Sequence, residues 1–357
     1  MNKKPASLFV IALLTFLSLT STYEIIGYFL QNDPIPRRGE RLRKDNRIAF
    51  LSIKKPPIVL IGNSLLDEAV DDAVLMSLIR RRILKIWSGG AESAWWYLAY
   101  KNVVIGSGHK PTAVYFFFRD YDLTEPTSRV TGPYELALDA IASPDEPLLD
   151  ELAYPRWSDR LLLFLRRHWS LYANARFFQQ SVNRTVKSCA AWLIHEDPWT
   201  PDEAIQRVFD DQRMDLQLLT RRQIEASAPS EDSVNASFDW QLRNSFLPAI
   251  VAMSRQRHIL LTFVRMKTRD EAISHRQPRD LLIYINHLRN YLASEECGFI
   301  DGAIDPRIGI EHFGIGDHLS RSVGRPIFTS ILAASIIKES HRWRSSNTNS
   351  RVTTVSS

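Results

Sequence analysis

Cysteine is scarce in this chain of 357 residues, which contains only Cys189 and Cys297. Two cysteines cannot supply a cysteine-rich zinc site or the dense disulfide framework of small secreted domains. One disulfide in an oxidising compartment and two free thiols are both compatible with this count.

Sequence signatures of cofactor binding are also lacking. There is no cluster of metal-ligating residues, no phosphate loop of the P-loop type and no dinucleotide fingerprint. We therefore expect the protein to use neither a cofactor nor a metal.

Positively charged residues are in modest excess over negatively charged ones, with a formal net charge of +5. Proteins that bind nucleic acids usually concentrate basic residues on one face or arm. Here the basic residues are scattered, apart from short groups at residues 37–38, 41–44 and 80–82. This distribution indicates an ordinary basic surface, and we expect no nucleic-acid partner.

A long apolar stretch lies near the beginning of the sequence. Lys3 and Lys4 precede an uncharged run at residues 8–17, and the apolar character fades towards Tyr23. A membrane span needs about 17 to 25 residues, so this stretch meets the lower limit. A cleaved signal peptide has a similar pattern, but no Ala-x-Ala site follows the run. We therefore predict an uncleaved, single-pass signal anchor over residues 1–31.

The charges on the two sides of this segment conflict about its orientation. The N-terminal lysines favour an inside N-terminus, whereas the arginines after the span favour the opposite by the positive-inside rule. No second apolar run of such length follows. We expect the main domain to be extracytoplasmic, either periplasmic or at the cell surface. Residues 32–57 are polar and basic and include prolines, which is typical of a linker.

The remaining chain predicts an α/β fold. Hydrophobic residues make up 45% of the sequence, enough for a sizeable core. Short apolar runs alternate with helical patterns, which indicates a doubly wound parallel sheet. The five predicted strands are residues 58–61, 83–87, 113–118, 259–264 and 298–300.

The third and fourth predicted strands are too far apart in sequence for an ordinary connection. Residues 125–256 have mainly helical patterning, with predicted helices at 161–178, 201–227 and 238–255. We interpret this region as a helical insertion or cap between two parts of the α/β domain, residues 58–124 and 257–341. The tail, residues 342–357, is rich in Ser, Thr and Asn and is predicted to be disordered.

A serine follows the first predicted strand directly. Gly62 allows a tight turn, and Ser64 then lies where the strand ends and a helix begins. Ligands bind at this edge of open α/β sheets, and backbone N–H groups there can stabilise an oxyanion. The alternative is that Ser64 only caps the helix, because serine is a favoured N-cap residue.

Residues 58–66 resemble the first block of the SGNH (GDSL-like) hydrolases, in which a Gly-Asp/Asn-Ser-Leu motif carries the nucleophile. Gly89 and Gly90 match the family's second block, a glycine whose N–H joins the oxyanion hole. His318, followed by Leu319 and Gly324, matches the last block. The resemblance covers residues of about 56–125 and 257–338. It implies a flavodoxin-like three-layer fold in which Ser64 is the nucleophile and His318 the general base.

The sequence departs from the family pattern at two places. The family usually has an acid three residues before the histidine, where this chain has Ile315. Asp317 is the predicted third member of the triad, and Glu311 or a backbone carbonyl are the alternatives.

The third block, Gly-x-Asn-Asp, is also missing. Arg119 follows the third strand instead. It either binds an oxyanion or an acidic substrate group, or forms an ion pair with a nearby carboxylate. Arg265, after the fourth strand, is expected to join it at the same edge. His109, His195, His258 and His312 lack such a context, and we interpret them as structural.

Two functions are compatible with these features. The first is a serine esterase or O-acyltransferase that acts on an extracytoplasmic acyl ester, since anchored relatives of this kind include enzymes that modify cell-surface polysaccharides. Its partners would be an acyl-ester or polysaccharide substrate and, through the anchor, the membrane. The second is a non-catalytic binding or structural subunit of a cell-envelope polysaccharide or export system.

The apolar segment generates a first testable prediction. The whole chain should sediment with membranes after cell lysis, whereas a chain that begins at Asn32 should stay in the supernatant. Quantitative immunoblotting of both fractions measures this. Whole chain of unprocessed mass in the supernatant would contradict the anchor.

Overall fold

The computed structural model describes residues 57–131, 134–143, 145–168, 238–274, 277–314 and 316–353. The predicted anchor, nearly all of the predicted linker and the predicted helix at 201–227 lie outside these ranges. Across the described ranges, no helix has the length and apolar character that a membrane crossing requires.

The chain divides into two compact units. One unit comprises residues 1–35 and 154–230, of which only 154–168 are described. The other comprises residues 36–153 and 231–357 and contains the sheet. The predicted insertion over 125–256 is therefore shared between the units, since its two ends group with the sheet.

The sheet has five strands in the order β2-β1-β3-β4-β5, and every neighbouring pair is parallel. This arrangement confirms the predicted parallel α/β sheet. The strands are β1 (Ile58–Gly62), β2 (Ile83–Trp87), β3 (Ala113–Phe118), β4 (Leu260–Arg265) and β5 (Gly298–Asp301).

Eleven α-helices lie in the described ranges, in addition to a π-helix at Ala99–Ile105 and 3₁₀ turns at Asp122–Thr124 and Ile310–His312. In chain order they are α1 (Ser64–Ala69), α2 (Asp72–Ile79), α3 (Ser93–Leu98), α4 (Glu135–Ile141), α5 (Pro147–Ala153), α6 (Trp157–His168), α7 (Phe238–Arg243), α8 (Leu247–Arg257), α9 (Arg269–Ser274), α10 (Arg279–Ser294) and α11 (Gly324–Thr353), with α6 alone in the smaller described unit.

The central strands are buried on both faces, because helices cover each side of the sheet. Every residue of β1 and β3 is buried. On one face Leu60 and Tyr115 belong to a core cluster with Phe328 and Leu332 of α11. On the other face the ring of Tyr100, from the π-helix, meets that of Phe116 edge-on at 5.6 Å. Burial on both sides explains why these strands are continuous apolar runs and do not alternate with polar residues.

The apolar spacing of residues 65–84 predicts one helix after β1, but in the structure two helices occupy this segment. The chain leaves α1 at Val70, and Asp71 begins α2 by accepting a hydrogen bond from the Val74 N–H at 3.0 Å. The Asp71 N–H also donates to Thr329 Oγ1 of α11 at 3.0 Å. Asp71 therefore caps α2 and contacts α11, and these two interactions divide the segment into two helices.

The C-terminal helix is longer than predicted. Residues 326–338 have the apolar helical pattern, but α11 continues to Thr353, past the boundary at 342 from which a disordered tail was predicted. Once the packed part of a helix has formed, each further residue adds one hydrogen bond without a new nucleation cost.

Gly62, the last residue of β1, allows α1 to lie close to the sheet. A Cβ atom at this position would be 2.8 Å from Leu66 Cβ and 3.1 Å from Phe117 Cβ. Only a residue without a side chain fits between β3 and the first turn of α1. The position of Ser64 thus depends on this contact.

This close approach generates a prediction about stability. Gly62→Ala should lower the free energy of unfolding by about 1–3 kcal/mol, because the added methyl overpacks the core. Gly89→Ala is the matched control, since a Cβ there meets nothing within 4 Å. Urea denaturation followed by circular dichroism measures both variants. Equal stability of the two would show that the β1–α1 junction tolerates a side chain.

Candidate active site

The structure brings Ser64 and His318 together. They are 254 positions apart in the sequence, yet His318 Nε2 lies 3.0 Å from Ser64 Oγ. This is a hydrogen-bond distance between a hydroxyl and an imidazole nitrogen. A serine and a base within hydrogen-bond reach are the geometric signature of an activated nucleophile.

Ser64 is not the cap of its helix. Asn63 is the N-cap residue of α1, and its side-chain Oδ1 accepts a hydrogen bond from the Leu65 N–H at 2.9 Å. Ser64 is the first helical residue, and its hydroxyl faces His318 instead. The alternative interpretation of Ser64, as a capping residue only, is therefore wrong.

The segment that carries His318 is a tight, irregular loop. The Gly314 N–H donates to the His318 carbonyl at 2.7 Å, and the Ser320 N–H donates to the His312 carbonyl at 2.8 Å. Leu319 is buried in the same core cluster as α11. A Cβ on Gly324 would lie 2.1 Å from the His312 carbonyl oxygen. The leucine and glycine that follow the histidine thus hold the loop against the core.

Gly89 and Gly90 follow β2, the strand next to β1. Gly90 has a φ of +67°, and a side chain there would meet Tyr134 and Arg129. Gly89 borders open space, so a substrate can approach its backbone. Their predicted role as oxyanion donors is compatible with this placement and stays a prediction.

Arg119 follows β3, on the other side of β1. Its guanidinium Nη1 pairs with Asp317 Oδ2, and its backbone N–H donates to Asp122 Oδ2 at 3.2 Å. Although burial opposes the charge of Arg119, the carboxylates of Asp122, Asp317 and Asp120 outweigh it and raise its pKa. Of the two roles left open by the sequence, the structure shows the ion pair.

The two candidate triad acids have partners of their own. Asp317 Oδ2 pairs with Arg119, and Asp317 Oδ1 accepts from the Arg269 N–H at 2.9 Å. Glu311 Oε1 lies 3.3 Å from His312 Nδ1, and the Glu311 side chain is largely exposed. Both oxygens of Asp317 are thus bound to donors on other elements, which favours an anchoring role over that of a free triad acid.

Arg265 lies at the end of β4, but its surroundings differ from those expected of a substrate-binding residue. It is 1% exposed, and Nη2 binds Glu271 Oε1 at 2.6 Å. Nη1 lies 3.2 Å from Gln277 Oε1 and 3.6 Å from Asp301 Oδ1. This geometry does not agree with the prediction that Arg265 joins Arg119 in binding the substrate. The Arg265 guanidinium instead connects β4 with α9 and β5.

A second connection to the histidine segment was not found from the sequence. Arg321 donates to both carboxylate oxygens of Glu68 at 2.7 Å, and this hydrogen bonding lowers the pKa of Glu68. Arg325 donates to the carbonyls of Asp67 and Glu68 at 2.7 and 2.8 Å. The only sequence signal is spacing: Glu68 follows Ser64 by about one helical turn, and Arg321 follows His318 by three residues.

Several carboxyl groups lie close to Arg119, and of these Asp122 and Glu92 are buried. Burial raises the pKa of Asp120, Asp122 and Glu125, and the negative charge of Glu92 adds to the effect on Asp122 and Glu125. Glu92 Oε1 lies 2.8 Å from Arg129 Nε. Asp122, the most strongly affected, is thus held in its protonated form well above the usual pH range of an aspartic acid.

No metal site is apparent in the described ranges, where no three His, Cys, Asp or Glu side chains are placed to hold an ion together. Cys297 is a free thiol, and burial raises its pKa to about 11. Cys189 lies outside the described residues.

The raised pKa of Asp122 generates a prediction about pH dependence. Its folded pKa exceeds its unfolded value, so its stabilising contribution is complete below the unfolded pKa of about 4 and is lost as the pH rises through the folded pKa. Asp122→Asn removes this pH-dependent loss of stability, because asparagine does not titrate. The stability of the variant relative to the wild type should therefore increase as the pH rises from about 4 towards the folded pKa of Asp122.

Urea denaturation at several pH values measures this difference. Asp239→Asn, at an exposed position of α7, is the control and should run parallel to the wild type. Parallel curves for Asp122→Asn as well would show that its carboxyl does not titrate differently in the folded and unfolded states.

The sequence matches no family model and no curated protein. Among solved structures, it is similar to a protein from Bacteroides fragilis proposed to be an acylhydrolase, with 12% identity and a TM-score of 0.39. That likeness covers 83% of this chain and 96% of the other. It is also similar to a GDSL-like lipase from Bacteroides thetaiotaomicron, with 10% identity, a TM-score of 0.37 and coverage of 84% and 99%. At these values neither likeness identifies the chain.

Proposed function

We propose that this chain is a serine hydrolase of the SGNH type that cleaves or transfers acyl groups bound as esters. The observation that carries the proposal is the distance of 3.0 Å between Ser64 Oγ and His318 Nε2. The pair lies at the carboxyl edge of a parallel sheet, where ligands bind in open α/β folds.

In the proposed reaction, Ser64 Oγ attacks the acyl carbonyl carbon while its proton passes to His318 Nε2. For this step Nε2 must be the unprotonated nitrogen, so that the neutral ring carries its proton on Nδ1. His318 then gives the proton to the leaving alcohol as the carbon–oxygen bond breaks. An acyl group remains on Ser64.

The second half of the reaction repeats these roles. Water attacks the acyl-serine in a hydrolase, and an acceptor hydroxyl attacks it in a transferase. In both cases His318 takes the proton of the attacking group and returns it to Ser64 Oγ as the acyl–oxygen bond to the serine breaks. The tetrahedral intermediate needs hydrogen-bond donors, and the backbone N–H groups of Ser64 and Gly89 are the proposed ones. Such a donor is worth about 3–4 kcal/mol of transition-state stabilisation.

The substrate and location are narrower parts of the same proposal. We propose an extracytoplasmic ester, carried by a carbohydrate, and a domain anchored by residues 1–31. The uncharged run at residues 8–17 supports the anchor. The likeness of the sequence motifs to anchored polysaccharide esterases and O-acetyltransferases supports the carbohydrate.

One observation favours the alternative of a non-catalytic binding subunit. In place of the family's third block, Arg119 follows β3, and its guanidinium pairs with Asp317. An asparagine side chain that would donate to an oxyanion is thus absent from this position. The backbone donors must suffice if the chain is an enzyme, and a direct test of serine reactivity separates the two functions.

A fluorophosphonate probe tests the nucleophile. The wild-type protein should be labelled at a single serine, and Ser64→Ala should abolish labelling. His318→Gln should slow it by on the order of 100-fold or more, because the general base is lost. Mass spectrometry of the labelled peptide identifies the site.

Ser77→Ala provides the matched control, since this serine is on the exposed side of α2 and donates only to the Val74 carbonyl at 2.7 Å. Its labelling should equal that of the wild type. A wild-type protein that is folded by circular dichroism and remains unlabelled would favour the binding subunit.

A further inference from the structure

The segment that carries His318 is connected to the rest of the domain by two ion pairs. Asp317, directly before the histidine, pairs with Arg119 at the end of β3. Arg321, three residues after it, pairs with Glu68 of the nucleophile helix. The two pairs differ in their surroundings, which allows their contributions to be separated.

The Arg119–Asp317 pair is partly buried and joins three elements. The side chains of Arg119 and Asp317 are 27% and 24% exposed. Asp317 also accepts a hydrogen bond from the Arg269 N–H, at the first residue of α9. One carboxylate therefore holds together the edge of β3, the start of α9 and the residue before His318.

The backbone just before His318 contains two glycines. Gly314 lies before it, and Gly316 has a φ of +60°. Glycines keep more backbone freedom than other residues. A carboxylate fixed to two donors between such residues and the catalytic imidazole restricts how far the ring can move.

We propose that Arg119 is a positioning residue that acts through Asp317 to keep His318 Nε2 within hydrogen-bond distance of Ser64 Oγ. This inference rests on the proposed function. In it, Arg119 takes no part in the binding of the oxyanion, and Asp317 acts on His318 by fixing the neighbouring backbone. A displacement of about 1 Å in a reacting group can lower the rate on the order of 100-fold.

The Glu68–Arg321 pair has a different position. The Arg321 side chain is 71% exposed, so water and salt screen the interaction. Exposed ion pairs contribute little to stability. Arg321→Gln is therefore a matched control: it removes an arginine–carboxylate pair from the same segment without touching Asp317.

The experiment measures kcat and KM for p-nitrophenyl acetate and the rate of fluorophosphonate labelling of Ser64. The variants are Arg119→Gln, Arg119→Lys, Asp317→Asn, the double variant Arg119→Gln/Asp317→Asn, and Arg321→Gln. Thermal unfolding of each variant establishes that it is folded. Wild-type labelling is measured first, because its absence would overturn the proposed function and this inference with it.

We expect Arg119→Gln to lower kcat and the labelling rate by about 10- to 100-fold, with KM almost unchanged, because the reacting groups are misaligned while the substrate still binds. Arg119→Lys should recover part of the loss, since lysine keeps the charge but not the planar fork. The double variant should be no slower than Asp317→Asn alone, because both changes break one interaction. Arg321→Gln should stay close to the wild type.

Three results would overturn the inference while leaving the proposed function intact. The first is wild-type kcat in folded Arg119→Gln. The second is a double variant whose loss equals the product of the single losses, which would mean that Arg119 acts independently of Asp317. The third is an equal loss in Arg321→Gln, which would indicate general loosening of the segment. If Arg119→Gln fails to fold, folded Arg119→Lys decides: partial activity supports the inference, and inactivity overturns it.

Discussion

Parallel pairing of β1 with strands on both of its sides is the constraint on which the rest of this structure depends. β1 pairs with β2 and with β3, and all its residues are buried. Parallel strands all present their carboxyl ends at the same edge, so the residues after β1, β2 and β3 are neighbours in space. Ser64, Gly89 and Arg119 follow these three strands and lie at that edge for that reason, although each belongs to a different part of the sequence.

His318 does not follow a strand that neighbours β1. His318 follows β5 at the far side of the sheet and belongs to an irregular segment. Leu319 in the core, Gly324 against the His312 carbonyl and the hydrogen bonds of Gly314 and Ser320 shape this segment. The contact with Ser64 is thus the combined result of many local interactions in this segment.

The charged side chains described at this edge mostly form ion pairs with one another. Arg119 and Arg265 both have carboxylate partners, and carboxyl groups surround them. Removing one member of such a buried network would leave the others without a partner, which costs more than the intact pair contributes. Arginines at the ends of strands therefore serve here to join elements of the fold.

The sequence by itself determined the class of fold and indicated Ser64 and His318, the two residues that the structure brings into contact. Apolar runs between helical patterns are a local signal, and the motifs around Ser64 and His318 are short, so both can be found without knowledge of distant contacts. Only the tertiary structure decided three other features: the partners in the ion pairs, the break between α1 and α2 at Asp71, and the pairing of Arg265 with Glu271. A charged side chain can pair with any opposite charge within reach, and which one is within reach depends on residues as remote as Arg119 and Asp317, which only the folded sheet brings together.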